Sequence, residues 1–174
     1  MSCAIVYDSL TGNTEKLARA LSTALGEAGI DVRGAAAPID EASALAEGAD
    51  TVLFGFWTDK GSCSGKAEEY LKGLSGKRVA LFGTAGFGES KAYFDRILKA
   101  VAKKLPRDAT YLGGAMCQGQ MGEAIRAKYE KEAAEHPLNP RWKLMLKTYE
   151  KGQGHPNAED LEDVARTLKG MLAS

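Results

Sequence analysis

Five short strand-like runs alternate with helical patterns along this chain: Ala4-Ile5-Val6-Tyr7, Ile30 to Arg33, Thr51 to Phe56, Arg78 to Gly83 and Thr110 to Met116. The runs are too short for buried helices, and Ile5 and Val6 are β-branched, which favours strands. After the first, Leu17, Ala18, Leu21, Ala24, Leu25 and Ala28 repeat at helical spacing, and Gly29 stops that helix. Ala35 to Pro38 reads as a loop, and helices are expected over about 41–47, 66–74 and 90–104, the last with Phe94, Ile97, Leu98, Val101 and Leu105 on one face. Strands separated by such helices pair in parallel through right-handed crossovers. The pattern therefore predicts an α/β fold, with a parallel sheet between two helical layers. Near-continuous apolarity in the strands agrees, because a parallel sheet is buried on both faces.

The first strand leads into Asp8-Ser9-Leu10-Thr11-Gly12-Asn13-Thr14-Glu15, a tight polar loop opening a helix. A helix N-terminus carries unpaired N–H groups and the positive end of the dipole, so this loop is built to hold an anion. Residues 8–14 contain no Lys or Arg. The charge would be held by N–H and O–H donors alone, which suits a monophosphate better than a triphosphate with its metal. Lys plus Arg equal Asp plus Glu at 23 each in 174 residues, which predicts neither a nucleic-acid nor an acidic-membrane partner. No run is long enough to span a bilayer, and Met1-Ser2-Cys3 leads straight into a strand without a signal-peptide pattern. Cys3, Cys63 and Cys117 are odd in number and widely spaced, which fits reduced thiols in a cytoplasm and no disulfide or metal site. His136 and His155 both precede Pro and read as turn punctuation, and no nucleophile–base order is visible, so no catalytic residue is assigned.

In an open parallel sheet the ligand lies beyond the carboxyl ends of the strands, where the strand order reverses. Any α/β protein has Gly, Ser and Thr in such loops, but three loops here specialise differently. The first carries hydroxyls, the one after Phe56 begins with Trp57, and the one after Phe82 is Gly83-Thr84-Ala85-Gly86-Phe87-Gly88. Together they describe a phosphate cradle, an aromatic wall and a backbone-lined groove, as a flat ring system on a phosphate tail requires.

Ser9-Leu10-Thr11-Gly12-Asn13-Thr14, directly after the first strand and opening a helix, resembles the phosphate loop of the flavodoxin family, and the five-strand alternation matches that fold. The resemblance covers about residues 3–118 and the last helix. It implies a three-layer sandwich with a five-stranded parallel sheet in the order 2-1-3-4-5, and FMN as cofactor. Ser9, Thr11, Asn13 and Thr14, with N–H groups from Leu10 through Gly12 to Thr14, would bind the phosphate. Phe56 leads to Trp57, which would pack on one face of the ring. Thr58, Asp59, Lys60 and Gly61 would run past the N5 edge, where a peptide carbonyl freed by Gly61 would accept a hydrogen bond. Gly83, Thr84, Ala85, Gly86, Phe87 and Gly88 would line the pyrimidine edge. The chain departs from the family here: flavodoxins often place a Tyr after acidic residues, and this loop has no acid before Glu89. Phe87 either replaces that Tyr or packs inward. With neutral glycines there and Lys60 nearby, the fully reduced cofactor is expected to be less destabilised than in acidic flavodoxins, unless Lys60 is only a solvated charge.

Cys117-Gln118-Gly119 follows the fifth strand, and a helix over about 123–135 is broken by His136-Pro137-Leu138-Asn139-Pro140. A second helix, 141–151, carries Trp142, Met145, Leu146 and Tyr149 on one face. Gly152 to Pro156 turns the chain, and Asn157 caps a last helix with Leu161, Val164, Leu168 and Leu172 inward. The chain thus reads as a single domain over 1–174 with a helical insertion at about 119–156, long for a connection. The insertion either covers the sheet edge or forms a lid or docking face near the flavin. With its His-Pro pairs, it resembles the BilS-type members of the family, found with bilirubin-reducing enzymes. Three functions follow. The first is a monomeric electron carrier between redox partner proteins, a reductase and an acceptor, including service as the flavin partner of a bilin-reducing enzyme. The second is an NAD(P)H-dependent FMN or quinone reductase, for which Trp57 would obstruct one flavin face and no second nucleotide motif is visible. The third is a flavin-free scaffold, which would be colourless.

Overall fold

The computed structural model describes residues 2–88 and 90–173. Glu89, the acid closing the glycine loop, and Met1 lie outside them. Strands β1 (Ser2–Tyr7), β2 (Asp31–Val32), β3 (Ala37–Pro38), β4 (Thr51–Trp57), β5 (Arg78–Ala85) and β6 (Thr110–Gln118) form one sheet. Its order is β2-β1-β4-β5-β6, with β3 also on β1, and every pair is parallel. The expected order 2-1-3-4-5 holds once β2 and β3 count as one interrupted edge strand. Cys3 pairs with Val32 and Val6 with Ala37, so two extra residues are looped out between them. Ala37–Pro38, expected in a loop, is therefore strand, and Gly34, at φ 65°, turns the interruption.

Helices α1 (Asn13–Glu27) and α7 (Ala158–Leu172) cover one face of the sheet. Helices α2 (Ser43–Glu47), α3 (Gly65–Lys72) and α4 (Lys91–Ala102) cover the other. Strand alternation sorts the side chains. Ile5, Leu53 and Phe82 meet Leu17, Leu21 and Leu168, whereas Val6, Phe54 and Leu81 meet Leu71, Ile97 and Val101. Each such large side chain, fully buried, contributes about 1.5–3 kcal/mol of transfer free energy. Two cross-strand pairs tighten the centre. Phe82 lies over its partner Gly55, where a Cβ would meet the ring at 2.3 Å, and Phe56 lies over Gly83, where it would meet the ring at 2.8 Å. After β1 the chain goes to one edge through α1 and then crosses to β1's other side at β4. That reversal opens a crevice above the carboxyl ends of β1 and β4.

Between β6 and α7 the chain inserts α5 (Glu123–Glu135) and α6 (Pro140–Gly152). The two helices pack on each other: the Tyr129 and Trp142 rings are 6.1 Å apart, and the Arg126 guanidinium lies 6.0 Å from the centre of the Tyr149 ring. Asn139 caps α6 by accepting from Arg141 N at 3.0 Å. Asn157 and Asp160 cap α7 reciprocally. Among the described residues no helix is long and apolar enough to cross a membrane.

Candidate functional site

The loop after β1 turns into α1 at Gly12, whose φ of 92° is open to glycine at little cost. Ser9 Oγ accepts from Gly12 N at 3.1 Å and Glu15 N at 3.3 Å, fixing the loop. Asn13 Nδ2 donates to the Gln120 carbonyl at 2.9 Å and to Thr11 Oγ1 at 3.4 Å. Thr14 is fully buried, with its hydroxyl 3.0 Å from that of Thr84 on β5. The four polar side chains expected on a phosphate thus divide. Ser9 braces the loop, Asn13 and Thr14 tie it to its neighbours, and Thr11 stays exposed. Ser9 already takes Gly12 N and Glu15 N, so the first-turn amides of Asn13 and Thr14, which have no acceptor within the helix, and the Thr11 hydroxyl make up the anion-facing set. Leu10, 68% exposed, projects from the loop's tip.

At the end of β4, Trp57 Nε1 donates to Asp8 Oδ2 at 3.0 Å. The same carboxylate oxygen accepts from Ser64 Oγ at 2.6 Å, and Ser64 caps α3 by accepting from Ala67 N. The indole is therefore held by a carboxylate that α3 holds in turn. Thr58 N and Oγ1 both donate to the Thr84 carbonyl, at 3.0 and 2.9 Å. Asp59 and Ser62 exchange two backbone hydrogen bonds at 2.9 Å around Lys60 (φ 47°) and Gly61 (φ 80°). Positive φ at both central residues is the mark of a primed hairpin turn. Gly61 serves that turn, and Lys60 occupies a left-handed conformation unusual for a side chain of its kind.

These loops surround a cavity of about 530 Å³, within the range of small-molecule sites. Ser9, Leu10, Thr11, Asn13 and Thr14 line it from the first loop, and Trp57, Thr58, Asp59 and Lys60 from the second. Thr84, Ala85, Gly86 and Phe87 line it from the third, so Phe87 faces the cavity and does not pack inward. Five expected residues stand outside. Phe56 is fully buried in the core over Gly83, so both belong to sheet packing. Gly12 and Gly61 shape their turns without facing the space. Gly88, at φ 95°, lies against the Tyr93 ring and borders a separate 280 Å³ cavity. Cys63 is buried among α3, α4 and the sheet, and burial pushes its thiol up from the ordinary range. His155 Nδ1 lies 2.6 Å from Asp160 Oδ2, inside the α7 cap, as a turn residue would.

Sequence reasoning missed two groups. Asp8 is one, because a lone carboxylate beside a strand end carries no sequence signature. The second group comes from the insertion: Gln120, Met121, Ile125, Lys128 and Tyr129 also line the cavity. The charged side chains on its walls are Asp59, Lys60 and Lys128. A phosphate held by uncharged donors, a fixed indole and a groove of small residues fit a phosphorylated flat heterocycle.

Comparison with known proteins agrees. The profile of the flavodoxin domain family matches residues 4–169. The chain is 38% identical over 173 residues to the flavodoxin-like domain-containing protein BilS of Clostridium symbiosum (strain WAL-14163), covering 92% of this chain and 90% of that protein. It is 31% identical over 172 residues to the BilS protein of Clostridioides difficile (strain CD3), covering 99% and 97%. The fold matches oxidised flavodoxin 1 from Bacillus cereus with a TM-score of 0.59 at 17% identity, over 99% of this chain and 98% of that one. The chain belongs to the flavodoxin family, whose members bind FMN, and within it stands with the BilS-type proteins.

Proposed function

We propose that this chain carries electrons between redox partner proteins, with FMN held at the carboxyl ends of β1, β4 and β5. The observation that carries the reading is the pairing, in one cavity, of the uncharged loop at the N-terminus of α1 with an indole fixed by Asp8. FMN, when bound, supplies one- and two-electron chemistry. The α1 amides and Thr11 would bind its phosphate, with the helix dipole adding to the attraction. Trp57 would offer its indole face to the ring, and Asp8 would hold that face in place. The Asp59–Ser62 turn, anchored through Thr58 to the Thr84 carbonyl, would set the ring's edge. Phe87 would exclude water on the glycine-loop side. Three buried free thiols, Cys3, Cys63 and Cys117, fit a reducing cytoplasm. The resemblance to the BilS-type proteins supports a bilin-reducing enzyme as one such partner.

Stopped-flow mixing of the FMN-loaded protein tests the carrier reading. Bleaching of the visible band is expected with NADPH plus a separate flavodoxin reductase and not with NADPH alone. Rapid bleaching by NADPH alone would assign the chain to the FMN or quinone reductases instead.

A further inference from the structure

Helix α5 stands out because none of its residues is buried, although it lies against the body of the protein. Its surface is nevertheless sorted. Ile125, Lys128 and Tyr129, spaced i, i+3 and i+4 and so on one face, line the 530 Å³ cavity. Ile125 is an apolar side chain left 38% exposed there. Beneath this face Met121 sits directly on Gly86 of the glycine loop, where a Cβ would meet Met121 Cγ at 2.6 Å. The Tyr129 hydroxyl reaches Met121 Sδ at 3.9 Å, and Gln118 Nε2 donates to the Gly86 carbonyl at 3.2 Å. The segment entering α5 is equally fixed. The Gln120 carbonyl takes the Asn13 amide of the phosphate loop, and Gln120 N donates to the His155 carbonyl at 2.8 Å. Gly119 has no side chain where the Asn13 amide passes, for a Cβ would meet Asn13 Nδ2 at 2.7 Å. The insertion is thus fastened to the first loop, the glycine loop and the start of α7.

We propose that the Ile125–Lys128–Tyr129 face of α5, resting on Met121, is a fourth wall of the flavin site. This rests on the FMN reading above. Three loops line the cavity from the β1, β4 and β5 ends, and the insertion adds a lining on the β6 side. Ile125 and Tyr129 supply the apolar contact, and Lys128 supplies a cation to a cavity whose other wall charges, Asp59 and Lys60, offset each other. Reduction adds negative charge to the flavin, so an ammonium on the wall favours the reduced cofactor over the oxidised one. Lys128 is exposed, so its effect is screened and falls with added salt.

The test uses the full chain with purified FMN, comparing Ile125→Ala, Tyr129→Phe, Tyr129→Ala and Lys128→Met with Lys131→Met, an α5 cation outside the cavity. Ile125→Ala and Tyr129→Ala are expected to release FMN about tenfold faster, while Tyr129→Phe keeps the rate within about twofold and melting of the apo-protein reports any damage to the fold. Lys128→Met is expected to lower the ratio of fully reduced to oxidised FMN affinity about fivefold, ~20 mV of two-electron potential, and Lys131→Met to leave it unchanged. Wild-type protein that binds FMN, with Ile125→Ala and Lys128→Met matching it in release rate and potential, would overturn the fourth wall and leave the carrier reading standing. Wild-type protein that binds no FMN would overturn both.

Discussion

Gly12 offers the sharpest perturbation, because its strain and its surroundings separate. At φ 92° it occupies a conformation that L residues avoid, yet a Cβ there would meet nothing within 4 Å. Gly12→Ala therefore acts through the backbone alone. Gly76, between α3 and β5 at the opposite end of the sheet, is a matched control, with φ 69° and nothing within 4 Å. Each Ala variant is expected to lose about 1–2 kcal/mol of stability, roughly 2–8 °C of melting temperature for a domain of this size. Their effects on the cofactor diverge. At Gly12 an unliganded loop can relax out of the left-handed turn, and binding must restore it to aim the α1 amides. FMN affinity should fall about tenfold, near 1.4 kcal/mol, in Gly12→Ala and remain unchanged in Gly76→Ala. Gly12→Asn, which tolerates this conformation better, should recover part of the loss. Thermal melts of the apo-proteins and quenching of flavin fluorescence measure the two effects. Equal FMN affinity in both Ala variants would refute the reasoning, because the loop's geometry would then not bear on the cofactor.

Asp8→Ala removes the acceptor shared by the Trp57 indole and the Ser64 hydroxyl. It should cost about 1–3 kcal/mol in urea unfolding and shift the tryptophan emission of the native protein. Lys60→Gly releases the left-handed strain at φ 47° and should stabilise the apo-protein by about 1 kcal/mol in the same assay. On the alkaline side, burial pushes the thiols of Cys3 and Cys117 up to about 11 and about 12 from 9.0. Between those values and pH 9 the unfolded chain has lost protons that the folded chain keeps. Stability should therefore fall as pH rises above about 9, by up to ~1.4 kcal/mol per pH unit for each thiol, and Cys117→Ala should flatten the slope of denaturant midpoints against pH.

What the sequence discloses depends on what buries each residue. The sheet is legible because its strands are covered by the protein on both faces, so Val52-Leu53-Phe54 and Val79-Ala80-Leu81 advertise themselves as apolar runs. The break between Val32 and Ala37 is not legible, because an edge strand of two short pieces lacks the length to show a period. Phe56 and Gly83 look like site residues in the sequence because they adjoin Trp57 and Thr84. Alternation separates them, since Phe56 shares its face with Val52 and Phe54, and Gly83 is the gap that its ring fills. The phosphate loop is legible in position but not in detail. Its hydroxyls and amide are partly taken up in holding the loop, through Ser9 to Gly12, Thr14 to Thr84 and Asn13 to Gln120.

The insertion was the least legible part for a related physical reason. A helix that buries an apolar stripe in protein shows that stripe at a 3.6-residue period. Helix α5 has no fully buried residue and packs only through partly covered side chains, so its sequence looks like a solvated charged helix. The residues that matter on it are an isoleucine, a lysine and a tyrosine, whose grouping becomes meaningful only once Met121 has been placed on Gly86 and Gln120 on Asn13. Cavity walls are faces whose covering partner is not part of the chain. They carry too few apolar residues to make a pattern and too many to be mere surface. Their position is fixed by long-range contacts, here between residues 13 and 120 and between 86 and 121, that no local window spans.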